Sequence, residues 1–295
     1  MKNKQVIGLS IQYVLAILFG LIFSLPLVFM VMSSFKDPSQ IFQDLRSWNA
    51  FLPTGDVNLD QYAGVFERTP MLSFLFNSIF ISVMVVGLGL IVNSMAAYAI
   101  ARLKFRGQNV LLAGLIATLI VPFETIAMPL LVVINELPRF DFENGFAIKQ
   151  GWMNTYMVQI APFVASAFSI FLFVQYFKTI PKELDEAAII DGAGFFGVYW
   201  RIIVPLAGPA FATSAILSFL AIWNAYLWPV MVVQQEGLRP VQVGLDYFFA
   251  STTEDGTAWG QIMAYSTLIT IPIIILFVVF QKAFVASVAT SGVKG

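Results

Sequence analysis

Glu183, Asp185 and Glu186 stand together in Lys182-Glu-Leu-Asp-Glu-Ala-Ala-Ile-Ile-Asp-Gly-Ala193, a polar segment between two long apolar runs that is closed by Ile202-Ile203-Val204-Pro205. Clustered carboxylates followed by Ala187, Ala188, Asp191 and Gly192 suit one kind of chemistry, which is recognition. They present little side-chain bulk beside a negative charge, so another protein's surface can approach the backbone and donate a charge-assisted hydrogen bond to Glu186. Catalysis is poorly served. The chain has no Cys and no His, which excludes disulfides, thiol nucleophiles, Cys/His zinc sites and a Ser-His-Asp triad. It also lacks G-x-x-x-x-G-K-[ST], so it does not cradle ATP phosphates by that route. Energy for any work must come from another subunit or from an ion gradient.

Two further places carry polar chemistry. Glu124 lies between Pro122 and Pro129 inside an apolar run; a carboxylate at that depth either marks a pathway, as a gating or solute contact, or satisfies backbone N–H groups freed by the proline. Trp223, Asn224, Tyr226 and Trp228 form the other. Aromatic faces stack on sugar C–H surfaces and an amide serves hydroxyls as donor and acceptor, so Asn224, Trp228 and Glu124 are candidates for a solute path. The plainer readings are an interfacial aromatic belt for Trp228 and helix packing for Asn224.

The elements that must position these residues are membrane spans. With 59% hydrophobic and 11% charged residues in 295, a water-soluble protein would have too little polar surface, so lipid is the solvent for most of the chain. A hydrocarbon core about 30 Å thick takes about 20 helical residues. Six runs qualify: Tyr13 to Met32, Phe74 to Ile100, Val110 to Ile134, Tyr156 to Phe177, Pro209 to Val233 and Ile262 to Phe280. The first is too long for a signal-peptide h-region and lacks a small-x-small cleavage site, so it is expected to be a retained helix. Pro26, Pro122, Pro129, Pro162 and Pro272 fall inside the runs and predict kinks.

Orientation follows from the basic residues. With the N-terminus inside, Lys2, Lys4, Arg102, Lys104, Arg106, Lys178, Lys182, Arg201, Lys282 and Lys294 are cytoplasmic, against Lys36, Arg46, Arg68, Arg139, Lys149 and Arg239 outside. Both termini and the Glu186 loop are then cytoplasmic. The net charge of −1 and the absence of a basic stripe argue against a nucleic-acid partner. No internal repeat is present, and the outside loops Lys36 to Ser73, Glu136 to Met153 and Gln234 to Gln261 are balanced enough for compact structure.

Within the loop, Pro181 can start a helix whose positive end Glu183, Asp185 and Glu186 complement. Leu184, Ala187 and Ala188 give an apolar stripe at i, i+3 and i+4, and Gly192 and Gly194 permit a left-handed turn. A second helix is predicted through Phe196 to Ile203. The bland alternative is an amphipathic helix lying on the membrane.

Glu-Ala-Ala, Gly six residues after the Glu, Ile ten later and Pro three beyond resemble the cytoplasmic coupling loop of ABC importer permeases. Val204 stands where that pattern usually has Leu. Asn77-Ser78, Ala97 to Gly107 (AYAIARLKFRG), Trp223-Asn224, Leu227-Trp228-Pro229, Trp259-Gly260, Met263-Ala264 and the ending Ser291 to Gly295 are similar to the MalG-like permeases of bacterial carbohydrate importers, over nearly the whole chain from Ser33. The resemblance implies an all-α integral membrane protein of the type I importer fold in the bacterial inner membrane, with residues 1–69 as first helix and outer loop, 70–285 as permease domain (coupling loop about 178–208) and 286–295 as cytoplasmic tail. It implies a transport subunit, not an enzyme, with Glu186, Ala187, Ala188, Asp191 and Gly192 as the ATPase-coupling residues. The implied partners are a second, MalF-like permease, two ABC ATPase subunits that bind the ATP and Mg, an extracytoplasmic solute-binding protein and a sugar. The tail residues Val293, Lys294 and Gly295 are expected to reach between the ATPases, the alternative being a frayed terminus. A permease for a non-sugar solute and an ion-coupled secondary transporter are the rival functions; the latter would show inverted repeats and several intramembrane acids.

Overall fold

A computed structural model describes residues 2–141, 147–249, 252–253 and 256–292, and the side chains of 9–138, 150–249 and 258–281. Val293, Lys294 and Gly295 lie outside the described residues. The described chain is helical but for two small antiparallel hairpins. In the first, β1 (Pro138–Asp141) pairs with β2 (Ala147–Gln150), Pro138 opposite Gln150; in the second, β3 (Thr252–Thr253) pairs with β4 (Gly256–Thr257). Four helical segments are long and apolar enough to cross a membrane, and six if each of two bent helix pairs counts as one span.

Of the five prolines expected to kink the runs, Pro122 makes a break sharper than a kink, while Pro26, Pro129, Pro162 and Pro272 lie inside helices. Val110 to Ile134, expected as one span, is α5 (Gln108–Thr118) and α6 (Phe123–Glu136), bent by 103°. Pro122 disfavours helical geometry in the residue before it and itself sits extended as the N-cap of α6. Tyr156 to Phe177 is α7 (Tyr156–Val164) and α8 (Ala167–Thr179), interrupted where the Ser166 side chain accepts from Ser169 N and starts α8. The expected span Pro209 to Val233 is also revised. Its helix, α12 (Gly208–Trp223), ends at Asn224, α13 (Leu227–Val232) is separate, and the bent partner of α12 is the Phe195–Leu206 segment before it, at 78°. By contrast α4 (Met71–Arg102) runs unbroken for 32 residues without an internal proline.

The chain forms two compact units. The first combines residues 1–71 and 244–272. It holds α1 (Lys2–Ser33), α2 (Pro38–Asp44) and α3 (Asp60–Arg68). Its loop is ordered around a buried lysine: Lys36 Nζ donates to Asp44 Oδ2 at 2.8 Å and to the Asn49 carbonyl at 2.6 Å. A buried ammonium stays only when paired and hydrogen-bonded, and here two chain segments converge on it. The Ser34 and Tyr62 hydroxyls, 2.7 Å apart, tie α3 to the end of α1.

The second unit, residues 72–243 with 273–295, contains the residues of functional interest. One core joins Ala97, Tyr98 and Ile100 of α4 to Ile170, Phe173, Val174 and Phe177 of α8 and to Val198, Tyr199, Ile203 and Ala207 in the second half of the Glu186 loop. Another gathers Ala127, Ile134, Val158, Trp228, Val232 and Val233.

Candidate functional site

The Glu186 loop forms α9 (Glu183–Ile190) and α10 (Phe195–Val198), the latter continuing through a π turn at Tyr199–Ile203 into α11 (Val204–Leu206). The helix starts at Glu183, two residues after the expected start at Pro181, with Lys182 as its N-cap and no side-chain cap. The three first-turn acids therefore meet the positive end of the helix by charge alone. The other end is closed more tightly. Gly192 N donates to Ile189 O at 3.0 Å and Ala193 N to Ala188 O at 2.9 Å, the paired bonds of a Schellman cap. Gly192 takes φ +89° to make it. Gly194, also expected in that role, has φ −74° and is extended.

This geometry separates two faces. Ala188 packs against the core, whereas Glu186, Ala187, Ile189, Phe195, Phe196 and Trp200 are exposed, as is Ile190 at 85%. Leu184 of the expected stripe is exposed as well. Bare backbone, the exposed carboxylates of Glu183, Glu186 and Asp191 and a row of large apolar side chains make a surface suited to another protein.

The inner face is held by α4. Arg102, whose side chain is 3% exposed, donates from Nη2 to the Ile180 carbonyl at 2.8 Å and places Nε 3.3 Å from Asp185 Oδ2. One helical turn back the Tyr98 hydroxyl donates to Phe195 O at 2.9 Å, and another turn back the Ser94 and Tyr199 hydroxyls meet at 2.7 Å. Burial raises the Asp185 pKa above its ordinary value; Arg102 opposes the shift, Glu186 adds to it and Lys182 opposes it. With the folded value above the unfolded one, the native state holds the proton more tightly. The favourable contribution is full below the ordinary value of 3.8 and is lost as pH rises through the raised one. Asp185→Asn, neutral throughout, should remove this pH dependence and melt no lower than wild type at neutral pH. Thermal unfolding of both proteins across the acid range checks it.

The second candidate place is the break after α12. Asn224 caps that helix, exposed, with Nδ2 donating to Leu220 O at 2.8 Å and Oδ1 accepting from Gln242 Nε2 at 3.4 Å. The amide therefore has partners within the chain while remaining open on one side, beside half-exposed Tyr226. Trp228 is different. It is 2% exposed, its Nε1 donates to Val158 O at 2.9 Å, and Phe123 and Phe163 meet its ring edge to face. This burial favours core packing over both the stacking face and the belt position expected of Trp228. Glu124 is exposed on the first turn of α6, at the break from α5, where it complements the helix dipole.

With this geometry in place, comparison with known proteins decides the family. Residues 85–290 match the family described as binding-protein-dependent transport system inner membrane component. The chain belongs to that family. Its relatives include the trehalose/maltose transport system permease protein MalG of Thermococcus litoralis, 31% identical over 99% of both chains. They also include the arabinooligosaccharides transport system permease protein AraQ of Halalkalibacterium halodurans, 31% identical over 92% of this chain and 91% of the relative. Among solved structures, a bacterial ABC transporter involved in the import of the acidic polysaccharide alginate shares the fold, with a TM-score of 0.76 at 24% identity over 96% of this chain and 98% of that one. As a member of this family the chain is an ABC transporter permease subunit, a transport component of a membrane.

The contacts of Arg102, Tyr98, Ser94 and Gln242 escaped the sequence reading. Arg102 entered it as a positive-inside charge and, with Tyr98, as part of the Ala97 to Gly107 resemblance. The available signal was spacing: Ser94, Tyr98 and Arg102 recur every four residues in a last stretch whose intervening residues are all apolar, which sets three polar groups along one face.

Proposed function

We propose that this subunit forms, with a second permease, the translocation path of an importer for a sugar or oligosaccharide, and that its Glu186 loop docks on a cytoplasmic ATPase. The observation that carries this reading is the loop itself, in which a Schellman-capped α9 turns small residues, Glu186 and a row of exposed apolar side chains away from the core. In this reading the two bent pairs each count as a span, giving six, with both termini in the cytoplasm and the basic residues distributed accordingly. Residues 1–69, 70–285 and 286–295 serve as outer segment, permease domain and tail. The partners are two ATPase subunits, which bind the nucleotide and Mg, and an extracytoplasmic solute-binding protein. The tail, with Val293, Lys294 and Gly295, reaches the ATPases. Sugar as the solute class is supported by relatives named for arabinooligosaccharides and for trehalose and maltose.

Asn224, with Gln242 beside it, is the solute-facing pair in this reading, since two amides offer donors and acceptors that match adjacent hydroxyls. Glu124 faces either the path or the second permease. The test uses the reconstituted complex with the cognate binding protein and a panel of mono- and oligosaccharides. ATP-driven uptake of a sugar is expected. Asn224→Ala should lower uptake about five- to tenfold, the loss expected for about 1–1.5 kcal/mol from one hydrogen bond, with assembly intact. Loss of assembly without a transport-specific defect would return Asn224 to helix packing, and ATP-independent uptake driven by an ion gradient would overturn the importer assignment.

A further inference from the structure

The polar contacts of α4 fall at its two ends, and each end grips a different functional segment. Near its C-terminus Ser94, Tyr98 and Arg102 hold Tyr199, Phe195 and the Asp185–Ile180 pair. Near its N-terminus Asn77 donates to the carbonyls of Gly237 and Arg239 at 2.9 and 3.0 Å, and Ser78 accepts from Val241 N at 2.9 Å. Those residues lead directly into Gln242, the partner of Asn224. Tyr156 donates to Asn77 Oδ1 at 2.6 Å and Gln159 to Leu238 O at 3.1 Å, which fixes the same segment from α7. Beside Ser94, Asn93 donates to Val164 O at 2.9 Å and accepts from Ser166 N at 2.8 Å, seating the α7–α8 break against the same end of the helix.

We propose that α4 is the rod that carries displacement of the Glu186 loop to the Asn224–Gln242 break, and that Arg102 is the positioning residue that joins loop to rod. The inference rests on the docking assigned to Glu186 above. Its physical basis is stiffness and attachment. From Asn77 to Arg102 an α-helix spans about 37 Å at 1.5 Å per residue. Helices kink at prolines, and α4 has none, whereas α1, α6, α7 and the helix Trp259–Gly292 each contain one. A rod transmits only what is fastened to it. Arg102 is the fastening that reaches two segments at once, because it is buried, lies 3.3 Å from Asp185 of α9 and hydrogen-bonds the Ile180 carbonyl at the end of α8. The raised pKa of Asp185 fits a pair that serves position more than stability, since a desolvated ion pair contributes little net free energy.

The test follows the outer end of the rod without needing the solute. The chain has no cysteine, and a side chain at Gly237 would point into open space, so Gly237→Cys supplies a single thiol in a complex whose other subunits are cysteine-free. Its rate of maleimide modification is measured with no nucleotide and with ATP plus vanadate, alongside co-purification of the ATPase. The expected result is a nucleotide-dependent rate in the parent that Arg102→Met reduces about fivefold or more, the lower range of ordinary coupling between sites, with the ATPase still bound. Arg102→Lys should restore part of it. Tyr98→Phe, which deletes one hydroxyl and does not threaten folding, should weaken the response in the same direction. An unchanged nucleotide response in Arg102→Met and Tyr98→Phe, or none in the parent, overturns the rod while leaving docking in place. Loss of the ATPase from Arg102→Met would make Arg102 a docking residue and equally overturn its transmitting role. Retention of the ATPase by Glu186 variants would instead remove the docking on which the proposal rests.

Discussion

Gly192→Val should strip the ATPase from the complex while leaving the membrane core folded. Gly192 sits at φ +89°, where a residue with a side chain costs about 1–2 kcal/mol and a β-branched one more. The α9 helix has only eight residues, too few to be stable alone, so its Schellman cap and its grip on α4 decide whether it holds its shape. A penalty of that size shifts the population of the docking-competent loop about tenfold. Glu186→Lys reaches the same end differently, because an exposed charge is reversed without disturbing the fold. Co-purification of the ATPase is expected to fall about tenfold or more in each. Gly194→Ala is the control: its backbone is extended and a Cβ there meets nothing, so it should behave as wild type. If Gly192→Val and Glu186→Lys both retain the ATPase and normal coupled hydrolysis, the loop is not the docking surface.

Trp228→Ala is expected to be the most damaging single truncation among the residues considered for the solute path, and the damage should appear as instability, not altered selectivity. A buried tryptophan replaced by alanine costs about 3–5 kcal/mol. Here it also removes the donor that satisfies the Val158 carbonyl and opens the cluster of Phe123, Phe163 and Val232. The thermal unfolding midpoint of the purified protein should drop sharply, with Trp228→Phe intermediate. Leu227→Ala, at an exposed neighbouring position, provides the comparison. A Trp228→Ala loss no larger than that of Leu227→Ala, together with a change in which sugar is carried, would restore the ring to the path.

The contrast between Asn224 and Trp228 shows where sequence reading stops. Both stand in Trp223-Asn-Ala-Tyr-Leu-Trp-Pro229 and both have chemistry that suits a sugar. Residue type is silent on whether a tryptophan turns toward a pathway or toward Phe123, since that choice belongs to α6 and α7, distant in sequence. The same holds for Arg102, whose partners Ile180 and Asp185 lie about eighty residues on. Helix ends were misplaced for a related reason. Hydropathy sums transfer free energy over a window and is indifferent to whether the chain inside it bends, so Gln108–Glu136 reads as one span although Pro122 turns it through 103°.

What the sequence determined alone is what depends on composition, run length and local backbone preference. The apolar excess sets lipid as the solvent, and runs of about 20 residues set the spans. Glycine at 192, after a short helix with an acidic first turn, sets the left-handed cap, because no other residue adopts that φ without cost. These properties are local, and locality makes them readable. Tertiary structure alone decided which polar side chains face inward to fasten one helix to another and which remain open to a partner. It buried Trp228, left Asn224 exposed with half-buried Gln242 beside it, and set Ser94, Tyr98 and Arg102 of α4 against the loop. A buried polar group must find its partner wherever the fold supplies one, and that partner is fixed by packing between segments far apart in the chain.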